Sequence, residues 1–547
     1  MSIEYFVEGK AITQTGGDYK TFAKEGISHN SAATVEQKGK ETGVNYNKAQ
    51  TINPNDKPVN TIDVKLNLFF DGTLNNKTNT QAGPKHESSN GNDSYANDFS
   101  NVAKGYDAID PNAENQVAYY VEGIGTVDLK SDNDTLGLPI RGAGLGTSER
   151  GIKAKVTKGC LKAAEFIKNK FNKKEIDTLT VNVYGFSRGA AAARHFVHVA
   201  TSTARMETLY KNQVLVYPPE DYEKSDSEES EQQMFVLENG DAPLLKYGYF
   251  GACLEKNALI IKNVRFNFIG LYDTVASYGA NHKGTSIFGL SIIDDDSKQL
   301  GLNSVKNGAF VLQLASSDEF RDNFSLTNIE SAGIKGLNLT LPGVHSDIGG
   351  GYVKDAEEKV LLYKHESSKT ECETFREMLI DEGWFRPKEI WIETERPHVH
   401  DVDPQYKLWG KRNVSNEYDK VSLYHMYEFS KQFSVIYDGN ITARHKINDS
   451  FIEKINHQIT ASYIMKCNNL RNQYIKDHND GKKPVESQYI NECKEYSYLE
   501  SNIEAEDLKK LRNLYLHWSA NLDKFGMSPR ITGVKPASER KRYILNG

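Results

Sequence analysis

The pentapeptide Gly185-Phe186-Ser187-Arg188-Gly189 is the stretch of this sequence best suited to covalent chemistry. Residues 178–184 before it alternate as a strand, while residues 190–200 after it begin with four alanines and read as a helix. A serine in a tight strand-to-helix turn needs small residues two positions to either side, because the turn brings backbones together. It also gains a helix N-terminus beneath its oxygen. Both conditions are met, so Ser187 reads as a nucleophile. The competing reading is a glycine-rich turn in which Ser187 only caps the next helix.

A serine nucleophile needs a base and an acid that orients the base, and in α/β-hydrolases the chain order is Ser, acid, His. Open α/β sheets build their sites past the carboxyl ends of strands. Asp273 follows the apolar strand 264–271, and His345 follows the strand 337–341, so both are placed to serve. Of the fourteen histidines, His195 and His198 lie on the helix after Ser187, where a side chain sits beneath or beside the elbow. Asp347 is the alternative acid, although a residue two positions from the histidine must curl back to reach its ring. The turn Asp71-Gly72-Thr73 after the strand 62–70 resembles a phosphotransferase DxDGT signature, but Phe69 stands where the first aspartate is required. A better use is an oxyanion hole, with one backbone N–H from Asp71 or Gly72 and the second from Arg188.

The elements that position these residues alternate between strands (62–70, 178–184, 264–271, 337–341) and helices (148–171, 190–200), which predicts an α/β domain around a mostly parallel sheet. On helix 148–171, Ile152, Val156, Cys160, Ala163, Ala164 and Ile167 share one face. Residues 8–58 are rich in Gly, Asn, Thr and Lys and read as an extension, while 218–233 carries seven carboxylates and one lysine, a solvated excursion. Past about residue 360 the pattern becomes helical. Ser450-x-x-Glu453 and Ser501-x-x-Glu504 look like capping boxes ahead of apolar stripes, which are read as core more readily than as membrane-binding faces.

Across its 547 residues the chain is 38% hydrophobic and 26% charged with a net charge of −7, a balance that supports a sizeable core and argues against nucleic acid as a partner. Five scattered cysteines without a CxxC pair suggest neither zinc nor a disulfide framework. The N-terminus has no basic-then-apolar signal pattern and no stretch of about 18 apolar residues occurs, so the expectation is a protein made in the cytoplasm without a Sec leader.

Four segments together resemble the α/β-hydrolase domain of type VI secretion phospholipase effectors of the GxSxG type, over roughly residues 60–355. They are Asn67 to Asn76 around Phe70-Asp71-Gly72-Thr73, Gly185 to Ala190, Asp273-Thr274-Val275, and Gly343-Val344-His345-Ser346-Asp347-Ile348-Gly349-Gly350-Gly351-Tyr352. Residues 317–324, Ser-Asp-Glu-Phe-Arg-Asp-Asn-Phe, are similar to that family's acidic-Arg-Phe segment. The resemblance implies hydrolysis of glycerophospholipid acyl esters, with Ser187 as nucleophile, His345 as base and Asp273 as acid. It also implies delivery on a spike or tube component into a rival cell's periplasm, a phospholipid membrane as substrate, and a cognate immunity protein.

The expected organisation is an N-terminal extension at 1–59 related to delivery, an α/β-hydrolase catalytic domain at 60–360, and a mainly helical accessory or membrane-docking region at 361–547. The serine mechanism calls for no metal or cofactor. Two other readings stand beside it: a metal-dependent phosphodiesterase with Asp71, Asp273, His345 and Asp347 as ligands, and a non-catalytic delivery or binding module.

Overall fold

The computed structural model describes residues 61–90, 94–132, 150–172, 174–219, 233–276, 300–395, 404–496, 502–524 and 526–547. The extension at 1–59, most of the acidic run at 218–233 and Ser501 lie outside the described residues. The chain divides at Ile62, and Asp63–Gly547 forms one compact unit.

At its centre is a six-stranded sheet made of β1 (Thr61–Phe70), β2 (Gln116–Val121), β3 (Glu175–Phe186), β4 (Ile261–Tyr272), β5 (Phe310–Ser316) and β6 (Gly336–Leu341), in the order β6-β5-β4-β3-β1-β2. The pairs β1–β2, β3–β4, β4–β5 and β5–β6 are all parallel. Parallel strands are covered on both faces, which is why the second halves of β1 and β3 are continuous buried runs. Leu66, Leu68, Leu179, Val181, Val183, Ile269 and Leu271 are fully buried, and each such side chain contributes about 1.5–3 kcal/mol.

From β1 the chain builds outward to β2 on one side, and from β3 it builds through β4, β5 and β6 on the other. The reversal opens a crevice beyond the carboxyl ends of β1 and β3, the switch point where open α/β sheets bind ligands. Asp71 follows β1, Ser187 follows β3, Asp273 follows β4, and His345 lies four residues past the end of β6.

The helix Ile152–Phe171 buries the predicted face, with Ile152, Val156, Cys160, Ala163, Ala164 and Ile167 all at 0% exposure. The helix after the elbow is Arg188–Val199, and Ala190 to Ala193 are buried, so its small side chains let it press on the sheet.

The region past 360 differs from the helical expectation. Ala356–His365 (β7), Ile390–Glu395 (β8) and Gln405–Val414 (β9) form an antiparallel sheet in the order β7-β9-β8. Their mixed, half-exposed patterns hid them from a periodicity reading. Helices dominate from Asp419 onward. Helix Ser450–Ile459 is capped by Asp449, whose side chain accepts from Phe451 and Ile452 N–H, so the Ser450 capping box is corrected by one residue. In helix Ala505–Leu514 Glu504 is the N-cap itself and not the third residue. The apolar stripes are core: Ile455, Ile459, Tyr463, Leu508 and Leu511 join the same cluster as Leu337 and Leu339 of β6. Among the described residues no helix is long and apolar enough to cross a membrane.

Candidate active site

Ser187 has φ 58° and ψ −127°, a backbone conformation that costs about 1–3 kcal/mol for a residue with a Cβ. Its side chain makes no capping hydrogen bond to the helix it precedes, which removes the simple cap reading. Two backbone bonds hold the elbow to the next strand: Ser187 N–H donates to Tyr272 O at 3.0 Å, and Val275 N–H donates to Ser187 O at 3.3 Å. The flanking glycines are sterically required. A Cβ on Gly189 would lie 2.1 Å from Asp71 O, and one on Gly185 would lie 2.4 Å from Gly189 O. Because backbone cannot yield as a side chain can, Gly189→Ala should lower stability by about 3 kcal/mol, measurable by urea unfolding. A wild-type unfolding midpoint would contradict the close approach of elbow and β1 loop.

Across β4, Asp273 also has a positive φ, 47°. It is fully buried and its carboxylate has four kinds of donor around it. Oδ2 lies 2.6 Å from His345 Nδ1, Ser316 N–H donates to Oδ1 at 2.8 Å, and Ser316 Oγ donates to Oδ2 at 3.0 Å. Arg542 forks onto both oxygens, with Nη1 2.8 Å from Oδ2 and Nη2 on Oδ1. Burial alone would raise this carboxyl, but Arg542 and His345 outweigh it and hold it well below the usual carboxylate range. An ionised carboxylate can only accept, so the proton between them sits on His345 Nδ1 and the other ring nitrogen is left as the basic one.

The His345 ring lies between Phe186, at 4.6 Å between centroids, and Phe324, at 5.0 Å and edge-on. Its backbone N–H donates to Glu319 Oε2 at 3.3 Å. Glu319 is ion-paired with Arg321 at 2.8 Å, and burial, which raises its carboxyl, is outweighed by Arg321, leaving it at about 2. The Arg321 guanidinium in turn rests 3.4 Å from the Phe324 ring centre. The acidic-Arg-Phe segment is therefore the brace of the histidine loop. Burial lowers the His345 pKa from 6.5, against the pull of Asp273.

Asp347, the alternative acid, is committed elsewhere. Its Oδ1 lies 2.7 Å from His517 Nδ1, while Oδ2 accepts from Val344 N–H at 2.9 Å and His517 N–H at 3.0 Å. It ties the histidine loop to the C-terminal region. His195 Nδ1 is 2.8 Å from Leu300 O and His198 Nδ1 is 3.0 Å from Ser304 Oγ.

The early loop is built differently from the expectation. Asp71 N–H donates to Val121 O at 3.0 Å and Gly72 N–H to Asp71 Oδ1 at 2.7 Å, so both oxyanion donors expected there already have acceptors. The Asp71 carboxyl also accepts from Ser100 Oγ and Tyr120 OH, and burial pushes it up to about 6. Arg188 opens its helix, in the turn whose N–H groups point out of the helix end, and its Nε donates to Thr73 Oγ1 at 2.8 Å. The four carboxylate and imidazole side chains of the metal reading do not converge: Asp71, Asp273 with His345, and Asp347 each occupy a separate network. Among the described residues no group of three or more His, Cys, Asp or Glu could hold a metal ion.

Motif reasoning missed Arg542 and His517, which lie 269 residues from Asp273 and 170 residues from Asp347 and carry no local signature.

Set beside known proteins, residues 65–373 match the family described as T6SS phospholipase effector Tle1-like, catalytic domain. The chain belongs to the Tle1-like phospholipase effector family of type VI secretion. That match runs from within β1 through β7 and takes in every residue of the candidate site except Arg542 and His517. A solved structure described as the Tle1 effector bound to the VgrG spike from the type 6 secretion system superposes on 90% of this chain and 95% of its own, with a TM-score of 0.54 and 19% identity, which supports the shared fold. An uncharacterized protein from Pseudomonas aeruginosa aligns over 79% of this chain and 52% of its own at 16% identity, with a TM-score of 0.34 that carries no argument. No curated protein sequence matches the chain.

Proposed function

We propose that this Tle1-like chain is a serine hydrolase that cleaves the acyl esters of glycerophospholipids. The observation that carries the reading is the Asp273–His345 contact at 2.6 Å, one strand away from a serine held in a strained elbow. In this mechanism Ser187 attacks the acyl carbonyl and His345 takes its proton through Nε2. The histidine then passes that proton to the leaving alcohol and activates water to release the fatty acid. Asp273 fixes the tautomer and stabilises the imidazolium. Arg188 N–H holds the oxyanion.

The test is incubation with vesicles of phosphatidylethanolamine and phosphatidylglycerol in the presence of a chelator. Free fatty acid and lysophospholipid are expected. Release of the phosphorylated head group, or activity abolished by the chelator, would favour the phosphodiesterase reading instead.

The family and its spike-bound relative support a wider reading: carriage on a type VI spike component, action on a rival's membrane from the periplasm, and an immunity protein in the producer. The extension at 1–59 is then a delivery element. Expression in a bacterial cytoplasm should be tolerated, whereas the same chain with an export signal should stop growth or lyse cells. Equal harm from both compartments, scored by plating and optical density, would contradict it.

A further inference from the structure

Arg542 lies well beyond residue 373, where the match to the family's catalytic domain ends, yet its side chain is only 5% exposed and its guanidinium sits on the Asp273 carboxylate. Besides both oxygens of Asp273, Nη1 donates to Phe324 O at 3.2 Å and Nη2 to Ser316 O at 3.2 Å. It therefore ties together the acid, the end of β5 and the residue whose ring rests on His345. The backbone that carries it is held in place. Residues Ile544–Leu545 pair in parallel with Leu326–Thr327, Leu326 N–H donates to Tyr543 O at 2.9 Å, and Asn328 N–H donates to Leu545 O at 2.9 Å. Thr327 N–H reaches Thr274 O at 3.0 Å, one residue from Asp273.

We propose that Arg542 is a positioning residue of the hydrolytic site, fixing both oxygens of Asp273 and offsetting its charge so that His345 stays neutral and correctly turned toward Ser187. The inference rests on the serine-hydrolase reading and deepens it. A planar fork suits the task, because one guanidinium can hold two carboxylate oxygens in a single plane, which an ammonium cannot. The other charged and titratable groups around the pair are Glu319 and Arg321 beside His345, with Tyr352 beside Arg321. Glu319 and Arg321 neutralise each other, so Arg542 is the cation that answers Asp273. With that cation gone, a proton binds the Asp273–His345 pair more readily. The acidic limb of the rate profile must then move to higher pH.

The experiment uses the full chain as wild type, Arg542→Ala and Arg542→Lys. It reads p-nitrophenyl butyrate hydrolysis between about pH 5 and about pH 9, melting temperature, and labelling of Ser187 by a fluorophosphonate. Arg542→Ala should lose about 10²-fold in kcat with KM little changed, and its acidic limb should move upward. Arg542→Lys keeps the charge without the fork, so its limb should stay at the wild-type position while kcat recovers only in part. A folded Arg542→Ala with the wild-type kcat and pH profile overturns the proposal. So does an equal loss in both variants with an unmoved limb, which assigns Arg542 a structural role alone. Should Arg542→Ala fail to fold, Arg542→Lys decides: a lowered kcat with KM, melting temperature and acidic limb all at the wild-type values supports the proposal, and a displaced limb, a lowered melting temperature or a wild-type kcat refutes it. A wild-type chain that neither hydrolyses the ester nor takes label at Ser187 would refute the serine reading itself, a result distinct from all of these.

Discussion

Ser187→Ala is expected to reduce lipid hydrolysis by about 10⁶-fold while leaving the melting temperature where it was. The rate effect follows from the mechanism, in which no other group replaces the attacking oxygen. The stability expectation follows from the structure. The Ser187 side chain caps nothing, and the elbow is held by backbone bonds to Tyr272 and Val275 that alanine keeps. Alanine also keeps the positive φ, so the strain neither grows nor disappears. A kinetic assay on phosphatidylglycerol vesicles beside a thermal melt checks both halves. Retained turnover, or a variant that melts early, would contradict the account of the elbow.

Asp273→Asn should lower kcat by about 10⁴-fold, because an amide can present its N–H₂ to His345 and favour the wrong tautomer. Here the structure adds a second cost. Arg542 would face a neutral amide in a buried site, and removing one partner of a buried pair costs about 3 kcal/mol or more. Asp273→Asn should therefore be both catalytically crippled and less stable. Asp347→Asn should be milder in rate and act through the link between the histidine loop and His517. Measuring kcat and urea midpoints for both variants separates the roles, and a dead but stable Asp347→Asn beside a near-normal Asp273→Asn would reverse them. The pH dependence carries a sign as well. The proposed mechanism requires neutral His345, and burial lowers its pKa from 6.5, so kcat/KM should hold down to a more acidic pH than a free imidazole would allow.

What could be read from sequence was what is local. The elbow shows itself in five consecutive residues, because its steric demand for glycine acts two positions either side of the serine. Asp273 and His345 could be chosen because each follows an apolar strand, and strand ends are visible as a change of pattern. The choice between Asp273 and Asp347 could only be argued from reach. The contacts that separate them, to His345 and to His517, join residues far apart in the chain. Strands Gln116–Val121 and Phe310–Ser316 have no distinct signature in the sequence, because each is short and nearly continuous in apolar character, a pattern shared with buried helix. The early loop shows the opposite limit. Its motif is plain in the sequence, but nothing local shows that the Asp71 carboxylate takes up the Gly72 N–H. Arg542 lies outside every local signal and acts only because the chain returns to the sheet through residues 542–545.

The most direct measurement is mass-spectrometric mapping of a fluorophosphonate adduct on the wild-type chain, run beside lipid hydrolysis on the same sample. The account predicts a single adduct, on the peptide containing Ser187, forming in step with the loss of fatty-acid release and absent from Ser187→Ala. Full hydrolysis by unlabelled protein after prolonged treatment, or inactivation with the adduct on another residue, would contradict it.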